Sequence, residues 1–332
     1  MKKIFLFAIC LLSIYACKKE SSTFDGPSIE EMYSNFSVLA DFKCDKDSVD
    51  FAAGEKALFT AKFNKPVNWK ITITGQTSHA QKEITGISKS IDATNGIWNG
   101  STSVFPMFKA EHCIAKLTIT DVADTFQVAV KIRTVKVNEG FVIADFENGF
   151  NPLWVKFVQS GANMDFTIKT DSLAPQGAKY LKMAGTVNWD WLIGMIDYPA
   201  KAYGTANTLS LPTNADQVYF NCLIYGVPGT NDSKVLFQFR EDENADGIIN
   251  AATDDEYDVE IPVTWTGWKL FSVKYSDLVS LTNGQPTTPH GNSIHNPDKI
   301  GKISMLHLAD PANGFASCKI DYIIFTNSPL EP

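Results

Sequence analysis

From Asn35 onward the chain is written in period two. Ala57-Phe59-Ala61-Phe63, Val67-Trp69-Ile71-Ile73 and Phe126-Val128-Val130-Ile132 place an apolar side chain at every second position, and Gly, Asn, Asp or Pro punctuates the gaps between runs. Such alternation puts one face of an extended strand in a core and the other in water. Short strands over residues 35–136 predict a small N-terminal β-sandwich. A second stretch, residues 140–327, shows almost no helical periodicity. Its candidate strands are Phe141–Phe146, Leu192–Ile196, Gln217–Tyr225, Val235–Arg240, Tyr257–Val263, Lys269–Lys274, Lys302–Leu308 and Cys318–Thr326. Eight or more strands of this length predict a C-terminal β-sandwich jelly roll, and the fold class expected is all-β. At 332 residues the chain is long enough for both cores.

The N-terminus follows a different grammar. Met1-Lys2-Lys3 is cationic and Ile4 to Tyr15 is apolar, too short for a bilayer span of roughly 20 residues, so it reads as a secretory signal. It closes in Ser13-Ile14-Tyr15-Ala16-Cys17, which resembles the bacterial lipobox, with Tyr15 an imperfect fit. The resemblance implies a lipoprotein signal peptide over residues 1–16, acylation of Cys17, and a flexible polar tether over residues 17–34. The body is then expected at the outer membrane, held by its lipid anchor and facing either the periplasm or the cell surface.

The net charge of −8 argues against nucleic acid as a partner, because phosphates require a basic stripe. The acidity is concentrated in Glu241, Asp242, Glu243, Asp246, Asp254, Asp255, Glu256 and Asp258, a window without Lys or Arg. Cys44 and Cys113 continue the inward parity of their strands and are the candidate disulfide that an exported compartment permits, the alternative being free thiols. Cys222 and Cys318 fall on apolar faces and read as buried small hydrophobes.

Several segments resemble known families. Val49 through Gly54-Glu55 to Phe59, followed by Trp69, resembles an immunoglobulin-like or PKD-like domain, which implies a spacer or interaction module. Asp145-Phe146-Glu147-Asn148-Gly149, Gln176-Gly177 leading to Lys179-Tyr180-Leu181-Lys182, and Lys319-Ile320-Asp321-Tyr322-Ile323-Ile324-Phe325 resemble the galactose-binding-like jelly rolls that serve as carbohydrate-binding modules on surface lipoproteins of Bacteroidetes-type bacteria. That resemblance implies that the first and last strands lie side by side and that Glu147 and Asp321 ligate a structural calcium ion. Asp242 to Asn250 matches the opening of an EF-hand or dockerin-type calcium loop, with oxygens at the first, third and fifth places and Gly247 at the sixth. Thr253 breaks the match at the twelfth. The window reads as a β-hairpin tip that either holds calcium through Asp242, Asn244, Asp246 and Asn250 or is a solvated acidic turn.

Sugars are held by flat apolar faces and a few convergent polar groups. Trp189 and Trp191 stand at alternate positions, Gln238 and Arg240 project away from the apolar face of Val235, Phe237 and Phe239, Asn221 and Tyr225 alternate with Phe220, Cys222 and Ile224, and His307 interrupts an apolar run. These seven are the candidate ligand-binding residues, while Trp265 and Trp268 are assigned to packing. No nucleophile elbow, zinc helix, phosphate loop or dinucleotide fingerprint is present. The function expected is non-catalytic binding of an oligo- or polysaccharide, alongside outer-membrane glycan-uptake partners. The alternative is a structural or adhesive surface protein that binds another protein. A glycoside-active enzyme would need two carboxyls facing each other across a cleft. Exposed tryptophans in a groove favour the first reading; buried tryptophans under a flat polar surface favour the second.

Overall fold

The computed structural model describes residues 35–230, 233–311 and 314–331; the expected signal peptide, the expected acylation site Cys17 and the expected tether lie outside them. The described residues form an all-β protein. Its N-terminal strands are β1 (Val38–Cys44), β2 (Ser48–Asp50), β3 (Ala57–Gly75), β4 (Gln81–Ile91), β5 (Ile97–Trp98), β6 (His112–Ile119) and β7 (Phe126–Thr134). The 19-residue β3 organises this part, pairing with β1, β4, β5 and β6 along its length. Its alternating side chains from Ala57 to Ile73 are buried on one face, as the period-two pattern predicts. Asn64-Lys65-Pro66 interrupts its register with β4, a place where a strand tolerates proline's missing N–H.

The remaining strands are β8 (Phe141–Ala144), β9 (Val155–Val158), β10 (Asn163–Thr170), β11 (Lys179–Thr186), β12 (Leu192–Pro199), β13 (Tyr219–Gly226), β14 (Lys234–Glu241), β15 (Glu256–Pro262), β16 (Gly267–Lys274), β17 (Leu281–Thr282), β18 (Gln285–Pro286), β19 (Ile300–Leu308) and β20 (Phe315–Thr326). One sheet runs β10-β11-β20-β13-β16 with β8 added to β20, and a second runs β15-β14-β19-β12-β9. The two are joined by an aromatic core. Phe220 of the first sheet lies 4.7 and 4.9 Å, ring to ring, from Phe237 and Phe239 of the second, with Phe325 and Tyr198 packed into the same cluster.

The outer face of the first sheet is not open. Leu223 and Ile324 point outward, yet they pack with Met107, Tyr322 and Leu330, and the Met107 N–H donates to the Pro175 carbonyl at 2.6 Å. The N-terminal part and the C-terminal tail therefore cover the part of this sheet around Leu223 and Ile324, while the outer face of the five-stranded sheet carries no such cluster among the described residues.

Cys44 and Cys113 are both free, which corrects the candidate disulfide. Cys44 sits opposite Phe59 near the start of β3 and Cys113 opposite Gly75 at its end. A bridge needs Cα atoms within about 7 Å, and the length of β3 separates them. Parity had placed both on inward faces without placing them at the same height.

Two outcomes follow from this packing. Phe237→Ala removes a fully buried ring from the inter-sheet core and is expected to cost about 3–5 kcal/mol, read from the urea midpoint. Dithiothreitol is expected to leave the melting temperature unchanged; a fall would reveal a bridge.

Candidate functional site: a trough across the five-stranded sheet

Because Val235, Phe237 and Phe239 face the core, the alternate residues of β14 face outward, and the strand registers align them in rows across the sheet. One row is Glu256, Arg240 and Lys302; the next is Asp258, Gln238, Ser304 and Asp197; the next is Glu260, Leu236, Leu306 and Met195. Polar groups along these rows hold one another. Arg240 pairs with Glu256, the Gln238 amide donates to Glu256 at 2.8 Å, Lys234 pairs with Glu260 at 2.7 Å, and Lys302 and the Ser304 hydroxyl reach Asp197 at 3.0 and 2.6 Å.

Two hollows open over these rows and meet at Leu281. One, of about 520 Å³, is lined by Trp191, Lys234, Leu236, Gln238, Asp258 and Glu260 among others, and is closed on one side by the turn between β17 and β18. The second, of about 340 Å³, runs over Arg240, Glu256 and Lys302 beneath the 287–290 loop. Together they form a trough with an aromatic end, a polar floor and scattered aliphatic contacts. Trp191 is 44% exposed, and the Lys234 ammonium lies 5.1 Å from its ring centroid. Asp258 is buried in the floor, its Oδ1 without a hydrogen-bond partner among the described residues; burial raises its carboxyl to about 7, and Glu256 beside it adds to the rise.

The structure therefore brings Trp191, Gln238 and Arg240 together and removes four predicted residues from the site. His307 shares the parity of Ile303 and Met305, so it points into the sandwich; it is fully buried, and desolvation lowers its pKa to about 3, leaving it neutral. Asn221 lies on the other sheet, where its amide donates to Tyr219 and Ile324 carbonyls and to Thr326, and its oxygen accepts from Leu330 N–H; it fastens the C-terminal tail. Tyr225 is also on that sheet, edge-on to Trp268 with the Lys319 ammonium over its ring. Trp189 is 63% exposed on the loop that carries Trp191, with its indole N–H on the Ser160 carbonyl, beyond the residues that line the trough. Trp265 and Trp268 donate to the Ile224 and Leu173 carbonyls, as packing residues would.

The expected cation positions can be tested against the donors present. β8 pairs with β20, so the first and last strands of the jelly roll are adjacent. Where β20 passes from β11 to β8 its register shifts, Tyr322 takes a positive φ, and Asp321 is drawn fully inside. Its Oδ2 has no protein partner, nor has the buried Gln176 Oε1, and burial together with Glu147 and Asp145 pushes its carboxyl well above the usual range. Glu147 Oε1 accepts from the N–H groups of Ala178 and Lys179, over Gly177, where a Cβ would meet it at 2.4 Å. Such a donor set fits a hard cation.

In the hairpin tip, Asp242 accepts from Asp246 and Gly247 N–H, Asn244 from Asp246 N–H, and Asn250 from Ala252 N–H, with Gly247 at φ +87° making the turn. Backbone donors thus occupy these oxygens. The described acids that converge are their neighbours Glu241, Glu243 and Asp255, which sequence reading passed over. Burial, then repulsion from Glu243 and Asp255, pushes Glu241 up to about 8.

The raised carboxyl of Asp258 has a measurable sign. Its folded pKa near 7 exceeds the ordinary 3.8, so the folded state loses stability as pH rises between these values. Asp258→Asn keeps an oxygen for the Leu281 N–H, and its advantage in melting temperature over the wild type is expected to grow from about pH 4 to 7 and then level off. A constant offset would contradict the assignment.

No protein-family model matches the chain, and no curated protein does. Among solved structures, the chain is similar to a family 11 carbohydrate-binding module from Clostridium thermocellum in complex with a β-1,3-1,4-mixed-linked tetrasaccharide, at 18% identity and a TM-score of 0.40, covering 59% of this chain and 100% of that one. It is similar to a family 30 carbohydrate-binding module at 16% identity and a TM-score of 0.38, covering 58% and 90%. It is also similar to a carbohydrate-binding module of the β-sandwich superfamily at 13% identity and a TM-score of 0.37, covering 88% and 98%.

Proposed function

We propose that this chain is a non-catalytic carbohydrate-binding protein whose C-terminal jelly roll holds an oligo- or polysaccharide in the trough across the five-stranded sheet. The observation that carries the reading is the trough itself: an exposed indole at one end, and a floor of amide, guanidinium, ammonium and carboxyl groups fixed by their own cross-strand pairs. Sugar hydroxyls need preformed donors and acceptors, and a pyranose face needs a flat apolar surface. The exposure of Trp189 and Trp191 favours this reading over the protein-binding alternative.

Two features support a non-catalytic role. Glu256 and Glu260 are each committed to a cation, and with Asp258 they stand in a line along β15. Asp197, in the same row as Asp258, lies three strands away, about 14 Å at roughly 4.8 Å per strand, wider than the carboxyl separations of glycosidases. In the same proposal, Cys17 carries the lipid that holds the protein to the outer membrane, the N-terminal part is an Ig/PKD-like spacer, and outer-membrane glycan-uptake proteins are its partners. Structural calcium binds at Glu147 and Asp321, and the Asp242, Asn244, Asp246 and Asn250 loop is a second place for it.

Affinity electrophoresis through gels containing mixed-linked β-glucan, xylan or agarose tests this reading. Retardation in at least one gel is expected, with Trp191→Ala weakening it about 30-fold, the equivalent of about 2 kcal/mol for an anchor residue. Tyr225→Ala, on the other sheet, is expected to bind like the wild type. Retention unaffected by Trp191→Ala would remove the trough from the account.

A further inference from the structure

At the base of the acidic hairpin, Glu241 ends β14, Asp255 directly precedes β15, and the Glu241 N–H donates to the Asp255 carbonyl at 2.9 Å. One carboxylate oxygen from each of Glu241, Glu243 and Asp255 lies within 4.8 Å of the other two. Donors from the 291–296 loop and from Tyr275 surround the cluster. The Tyr275 hydroxyl and Asn296 N–H reach Glu241 Oε1, both at 2.8 Å; the Asn292 amide reaches Glu243 Oε2 at 2.7 Å; the Gly291 and Ser293 N–H groups reach the two Asp255 oxygens at 2.7 and 2.8 Å.

These bonds leave a remainder that points inward. Glu241 is fully buried, and among the described residues neither its Oε2 nor Glu243 Oε1 has a partner. The hydroxyl of Tyr257, a residue 2% exposed that feels all three carboxylates, is likewise without a partner. Lys299 attracts Glu243 and offsets only part of the charge. Buried charges persist when they are paired or coordinate a metal, and an all-oxygen set at the base of one hairpin suits calcium, which accepts irregular geometry more readily than magnesium.

We propose that Glu241, Glu243 and Asp255 form a calcium site of their own, separate from the Asp242–Asn250 turn and from the Glu147–Asp321 junction. Asp255 and His290 also line the trough, and the ion would fix the carboxylates to which Gly291, Asn292, Ser293 and Asn296 donate, so it steadies the segment next to the wall through these hydrogen bonds. The fastening removes wall motion that a ligand would otherwise have to arrest.

The test is calcium titration of the full chain after chelator treatment, by calorimetry and by melting temperature, with no glycan present, so the outcome is independent of sugar binding. Glu243→Gln is expected to lose one equivalent of calcium, to lose the corresponding rise in melting temperature, and to melt at or above the wild type in chelator because a repelling charge is gone. Asp255→Asn serves as the second variant. The same one-equivalent loss is expected when Glu243→Gln is placed in an Asp246→Asn background. Unchanged stoichiometry in both single variants would overturn the proposal. So would a loss that vanishes in the Asp246→Asn background, since both changes would then act on one site in the turn.

Discussion

The contact between Phe220 on one sheet and Phe237 and Phe239 on the other is the constraint on which the rest of the jelly roll depends. Burying these rings sets the inward parity of β13 and β14, and a one-residue slip would turn every side chain of a strand to the opposite face. Once Val235, Phe237 and Phe239 are inside, Leu236, Gln238 and Arg240 are outside, and their registers with β15 and β19 assemble the polar rows. The trough is thus the reverse side of the core. Most of its polar groups pair across strands, with Asp258 also accepting from the Leu281 N–H above, so the floor is preformed and the walls are what remains to be fixed.

Carboxylates are handled in three different ways around this scaffold. On the trough floor, Glu256 and Glu260 are neutralised by Arg240 and Lys234. In the hairpin tip, Asp242, Asn244 and Asp246 are satisfied by N–H groups of their own turn. At the hairpin base and at the β8–β20 junction, buried oxygens of Glu241, Glu243 and Asp321 face other acids with no protein donor. The last arrangement leaves buried oxygens in need of a cation, and it occurs where separate chain segments must be held together.

The strands were legible because alternation is a local property. Each of the eight strands expected in the C-terminal half is present, and the outward projection of Gln238 and Arg240 follows from counting along β14 alone. What was not legible is which outer face carries the trough and which one the N-terminal part packs on; Asn221 and Tyr225 project outward as expected, but from the other sheet. His307 could have been placed correctly from the same parity as Ile303 and Met305. The acids at the hairpin base become neighbours through the pairing of Arg240 with Glu256, a register the matching charges hinted at. The Cys44–Cys113 pairing required knowledge of position along a strand, which periodicity does not contain. β10 was readable too, since Met164, Phe166 and Ile168 alternate with polar residues and pack against the core, whereas β9 is four exposed residues with no buried face to read.

The central claim is that the open face of the five-stranded sheet is where a glycan lies. The most direct measurement is amide chemical-shift mapping of the isotopically labelled protein titrated with a soluble oligosaccharide of a polysaccharide it binds. Shifts confined to β14, β15, β19, the Trp191 loop and the 281–290 segment are the result predicted. Shifts concentrated on β13, β16 and β20, with β14 and β15 silent, would contradict it and move the binding face to the sheet beside the N-terminal part.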